Sequence, residues 1–242
     1  MKIFDLFSKA SFINRIILII LATSIISCVN EVDESEDFKE SQTTTEAINY
    51  LALGDSYTIG QGVQESERWP NQLGEELREL GYDMDKIDII ARTGWTSNNL
   101  LRAIDNSEIG DYNLVSLLIG VNNQYQRRPF SSFEVELEAL LNFSIETAGT
   151  HRRVFVVSIP DYGVTPFGGS RRDIIAKEID MYNEYISDRC QEKGIRFINI
   201  TEISRELGSS DGALASDNLH PSGNQYKEWT DKILPIVIEI ID

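Results

Sequence analysis

From Ile48 onward, short aliphatic runs alternate with longer segments whose apolar residues recur three and four positions apart. The runs Ile48 to Leu53, Ile87 to Ala91, Leu114 to Ile119, Val154 to Ile159 and Arg196 to Ile200 predict strands. Helices are predicted near Pro70 to Leu80, Ser97 to Ile104, Ser132 to Ala148, Arg172 to Lys193 and Asn224 to Ile241. In the third, Phe133, Leu137, Leu140, Leu141 and Ile145 share one face. Strands separated by single helices pair in parallel through right-handed crossovers, which predicts an α/β fold: a three-layer α/β/α sandwich around a five-stranded parallel sheet. Ligands of such sheets bind beyond the carboxyl ends of the strands. The loops that follow strands are therefore the first place to look for chemistry.

The first 46 residues read differently. Lys2, Lys9 and Arg15 precede an uncharged run, Ile16 to Ile26, which is 11 residues long, and a helix that spans a bilayer needs about 20. This layout predicts a signal peptide over residues 1–27. The run ends in Ile25-Ile26-Ser27-Cys28, which resembles the bacterial lipobox. The resemblance implies lipidation of Cys28 and attachment to the cell envelope, at the outer membrane, without a spanning helix. An ordinary signal peptide with an incidental cysteine is the alternative. Residues 28–46 are acidic with scattered apolar positions, as expected of a flexible tether, and residues 47–242 have the size of one domain.

The chain carries a net charge of −17, and cleavage before Cys28 would take it to −19, because Lys2, Lys9, Arg15 and Asp5 leave with the leader. Such a surface disfavours nucleic acid as a partner. With Cys28 lipidated, Cys190 has no disulfide partner, and it continues the helical series Ile175, Ile179, Tyr182 and Ile186, which marks it as a core residue. No ligand cluster for a metal and no cofactor motif is evident in the sequence.

The first predicted strand runs into Gly54-Asp55-Ser56, and a serine on a tight turn after a strand can lift its hydroxyl into a cleft beside backbone amides. Three further blocks follow later in the chain: Arg92 to Ser97 around Gly94, then Gly120-Val121-Asn122-Asn123, then Asp217-Asn218-Leu219-His220. In that order the four resemble the blocks of SGNH (GDSL-like) hydrolases, from about Asn49 to the C-terminus. The resemblance implies a flavodoxin-like SGNH fold, a serine esterase, Ser56 as nucleophile, and an oxyanion hole made by the Ser56 and Gly94 amides and the Asn122 side chain. It implies no cofactor. Asn123 departs from the family pattern, which has aspartate there.

A serine hydroxyl needs a base, and histidine suits that task. Of the two histidines, His151 precedes a strand, on the wrong side of the sheet, which leaves His220. The spacing from Asp217 to His220 lets the carboxylate orient the imidazole. Pro221 disfavours helix at His220, and Ser222, with Gln225 three residues on, predicts a capped helix directly behind the turn.

For the substrate, the loop from Pro160 to Gly169 and the aromatics Tyr57, Trp95, Tyr125, Tyr162 and Phe167 are candidate walls of a pocket. The sequence shows no apolar lid, so the expectation is a short-chain ester or a carbohydrate O-acetyl ester. The alternatives are a lysophospholipase or thioesterase, and a catalytically silent surface lipoprotein that binds glycan.

Overall fold

A computed structural model describes residues 46–242 of the chain. The predicted leader, Cys28 and all but the last residue of the tether lie outside the described residues. Five strands, β1 (Ile48–Gly54), β2 (Met84–Ala91), β3 (Leu114–Leu118), β4 (Val154–Val157) and β5 (Arg196–Ile198), form one sheet in the order β2-β1-β3-β4-β5. Every neighbouring pair is parallel. β2 starts three residues before its aliphatic run because it is an edge strand, where Asp85 and Lys86 keep access to water. β3, β4 and β5 leave the ladder earlier than their apolar runs suggest. Ile119, Ile159 and Ile200 nevertheless stay buried, so the pattern reported burial beyond the last ladder bond.

The helices are α1 (Ser56–Ile59), α2 (Trp69–Glu79), α3 (Ser97–Asp105), α4 (Val121–Tyr125), α5 (Phe130–Thr147), α6 (Arg172–Lys193), α7 (Thr201–Leu207) and α8 (Gly223–Ile241). The five longer ones match the predicted segments to within two residues. α1, α4 and α7 were not predicted, since four to seven residues are too few to show a helical period.

The chain passes from β1 outward to β2, then back across β1 to β3, β4 and β5. With right-handed crossovers this reversal puts α2 on one face and α3, α5 and α6 on the other. α8 returns to pack on α2, and α3 packs on α5. One side of the core stacks Tyr50, Phe155 and Trp69. The other joins α5 to α6 through Phe133 and Tyr182, with ring centroids 4.7 Å apart. Cys190 is fully buried in the predicted α6 stripe, and burial pushes its thiol up to about 12. It belongs to the core.

Candidate active site

The reversal of direction at β1 opens a crevice at the carboxyl ends of β1 and β3. Gly54 closes β1 where a β-carbon would stand 2.1 Å from Thr58 Oγ1 and 2.5 Å from the Leu118 carbonyl, so only glycine fits between the strand and the turn. Asp55 follows as the cap of α1, its Oδ1 accepting the Tyr57 N–H at 3.1 Å. Ser56 is therefore the first residue of α1, and its own N–H has no helical acceptor. Asp55 is fully buried and its Oδ2 has no partner among the described residues. Burial raises its carboxyl to about 7, against the lowering effect of the Tyr57 N–H.

Asp217 and His220 lie on a turn between α7 and α8. Unlike the other three blocks, the last one does not follow a strand directly; α7 and a further loop separate it from β5. Asp217 Oδ1 accepts the backbone N–H groups of Leu219 and His220, each at 3.0 Å, while Oδ2 meets His220 Nδ1 at 2.6 Å. Asn218 takes a left-handed conformation, φ 57°, and the Ala215 N–H donates to the His220 carbonyl at 2.8 Å. Burial raises the Asp217 carboxyl, but the His220 ring and the two backbone donors outweigh it and hold the group below the usual carboxylate range. Ser222 caps α8 as predicted, accepting from Gln225 N. Tyr57 packs edge-on to His220 at 5.7 Å and leans on Trp229 of α8. Tyr57 is accordingly a support for the imidazole as well as part of the wall.

Ser56, Gly94, Asn122 and His220 line one cleft of about 220 Å³, together with Thr93, Tyr125, Tyr162, Phe167 and others. No hydrogen bond joins Ser56 Oγ to His220 in this conformation, although both face that cleft. Gly94 sits on a turn at φ 84°, and its carbonyl is held by Gln126 Nε2 at 3.1 Å. Asn122 donates one amide hydrogen to the Trp95 carbonyl at 3.0 Å, which fixes the amide plane and leaves its second N–H available. Trp95 contributes this carbonyl and packs against the core; it does not line the cleft. Tyr125, Tyr162 and Phe167 form a wall with centroids 5.7 to 6.2 Å apart. His151 lies in a 3-10 turn just before β4, at the opposite end of the sheet, as expected.

Asn123 shows what the departure from aspartate does. Its Oδ1 accepts the Ser97 N–H at 3.0 Å, and its Nδ2 donates to Ser97 Oγ at 2.7 Å and toward Glu136 Oε2 at 3.4 Å. Ser97 Oγ also donates to Glu136. The group ties α3, α4 and α5 together directly behind Gly94 and Asn122. An aspartate here would set a second carboxylate against Glu136, so the neutral side chain is the one that fits.

A family model described as GDSL-like lipase/acylhydrolase matches residues 52–227, which includes all four blocks. The chain belongs to the GDSL-like lipase/acylhydrolase family. It is 26% identical over 228 residues to a multidomain esterase of Ruminococcus flavefaciens, an alignment covering 77% of this chain and 28% of that protein; the chain thus spans under a third of that relative's length. The crystal structure of an acetyl xylan esterase superposes with a TM-score of 0.63 at 17% identity, covering 78% of this chain and 100% of the other. The psychrotrophic esterase EstA from Pseudoalteromonas sp., inhibited by monoethylphosphonate, gives 0.60 at 20%, covering 78% and 96%. At these identities the structures establish a shared SGNH fold.

Two predictions test this account of the buried polar groups. Asn123→Asp should cost about 1–3 kcal/mol in urea unfolding at neutral pH, the range for leaving a buried polar group unpaired, and Asn123→Asp combined with Glu136→Gln should recover most of it. A double variant no more stable than Asn123→Asp alone would contradict the clash. Asp55 carries a pKa raised from 3.8 to about 7 in the folded state, so the native state binds the proton more tightly than the unfolded chain does. Its contribution to stability is full below the unfolded value and falls as pH rises through about 7. Melting temperatures of wild type and Asp55→Asn across this window should converge at acid pH and favour the variant above neutrality. Parallel curves would refute it.

Proposed function

We propose that the enzyme hydrolyses a short-chain ester, an O-acetyl group on a carbohydrate above all, with Ser56 as nucleophile, His220 as base and Asp217 as its orienting carboxylate. The observation that carries this is the 2.6 Å contact from Asp217 to His220 Nδ1, with the imidazole opening onto the cleft that holds Ser56. Bonding at Nδ1 fixes the tautomer whose Nε2 can accept a proton. Ser56 Oγ then bonds to the carbonyl carbon as its proton passes to Nε2. The tetrahedral oxyanion meets the Ser56 and Gly94 amides and the free N–H of Asn122. His220 returns the proton to the departing alcohol oxygen as the ester bond breaks. Water, deprotonated by the same nitrogen, releases the acid and restores Ser56.

The size of the cleft supports a small acyl group: about 220 Å³ holds roughly seven waters, and aromatic rings close one side. That one structural neighbour is an acetyl xylan esterase agrees with this reading. The expectation of a lipidated Cys28 stands alongside it, and no described helix is long and apolar enough to cross a membrane.

Hydrolysis of p-nitrophenyl acetate against longer acyl esters should fall steeply with chain length and vanish in Ser56→Ala. Asn122→Ala should lower kcat by about two to three powers of ten with little change in KM, since its bond strengthens only as charge develops. The double variant lacking Ser56 and His220 should lose scarcely more than either single one. An effect of Asn122→Ala confined to KM, or additive losses at Ser56 and His220, would show that these roles are misassigned. For the anchor, labelling with radioactive palmitate should depend on Cys28; equal incorporation into Cys28→Ala would dismiss it.

A further inference from the structure

Behind the aromatic wall of the cleft lies a second cavity of about 510 Å³, lined by Arg127, Arg128, Arg171, Ile174, Glu178 and Met181 among others. The two share a partition: Tyr162, in the cleft, donates its hydroxyl at 2.9 Å to Gln124, which lines the second cavity. They also share a helix. α4 carries Asn122 in its first turn and ends at Tyr125, and Arg127 and Arg128 follow just past its capping residue Gln126. Tyr125 lines the cleft and Gln124 the second cavity, so neighbouring residues of one helix face the two spaces.

The charge of this cavity opposes that of the protein. Against a net −17, three guanidinium groups converge on one concavity, and among the described residues none of the three is in an ion pair. The lone carboxylate in its lining, Glu178, accepts from Gln124 Nε2. α6, 22 residues long, starts at Arg172 with no side chain capping it, so its dipole adds positive potential at the same end, partly offset by Asp173 in its first turn. Arg127 is held at φ 52°, in the left-handed region, by its N–H to the Gln124 carbonyl and that of Arg128 to the Asn123 carbonyl. Glycine is the residue that favours this conformation. An arginine kept there points to a use for its side chain.

We propose that this arginine cavity is a subsite for an anionic group, carboxylate or phosphate, carried on the alcohol part of the ester. The inference rests on the esterase reading above. Guanidinium groups match both anions through paired, charge-assisted hydrogen bonds, and Tyr125 and Phe167, 48% and 51% exposed, offer the apolar surface between the two sites over which a sugar ring would lie.

Three O-acetylated sugars of one scaffold test it: a methyl glucoside, the corresponding glucuronate and the 6-phosphate. The wild type should favour at least one anionic ester over the neutral one by about tenfold in kcat/KM, chiefly through KM. Added salt should erode that preference. The glucuronate and phosphate arms decide which anion is meant. Arg171→Ala should weaken the preference, and so should Arg127→Gly, while Arg127→Gly keeps or raises the melting temperature because glycine relaxes the backbone. Equal kcat/KM for all three esters, or a preference that survives both arginine changes, would overturn the proposal. Titration of the three deacetylated sugars into Ser56→Ala separates the two readings. Selective binding of an anionic sugar with no hydrolysis by the wild type would keep the anion site and reject the esterase assignment. Absence of both would reject the pair.

Discussion

The site depends on one topological constraint: right-handed crossovers from a strand that sends the chain first one way and later the other. Between β1 and β3 no helix can cover the strand ends, because their connections depart to opposite faces. A crevice is left there, and Ser56 and Asn122 occupy its two banks. Gly94, at the end of the neighbouring strand, leans in from the side. Every other feature refines this opening. Gly54 narrows the gap until the serine turn sits against the Leu118 carbonyl, and the Asn123 group pins the helix starts around it.

Much of this was legible in the residues. Strands and long helices declare themselves because burial enforces a period, and the polar blocks stand out because they interrupt it at strand ends. What escaped was short or indirect. α1 and α4 carry the key side chains yet are too brief for periodicity, so they read as loops. The partnership of Tyr57 with His220 joins residues 163 positions apart in the sequence, and no local signal reports such packing. Asn123 read only as a departure from the family pattern, because its partner, Glu136, lies on a different helix. Trp95 read as a pocket aromatic, yet its backbone carbonyl is the functional part.

The electrostatics follow a common rule across the site: each polar group is fixed by a neighbour that is not itself reactive. Asp217 is held by two backbone amides before it meets the imidazole. Asn122 spends one donor on a carbonyl and keeps the other. Groups preorganised in this way need little rearrangement when charge develops on a substrate, which is where such sites gain most of their rate. Asp55, next to Ser56 in the chain, is the exception, with one oxygen buried and unpartnered among the described residues.

The position of His220 in the chain has a consequence for biosynthesis. All five strands and the serine turn precede Asp217 and His220, which are carried on the turn that leads into α8. A nascent chain can therefore complete its sheet before the turn of Asp217 and His220 is in place beside Ser56. The cleft is complete only when α8 docks against α2 and Trp229 comes up behind Tyr57. In a protein made from its N-terminus, the turn that faces Ser56 is the last part of the cleft to arrive, so the cleft closes around Ser56 only once the fold is finished.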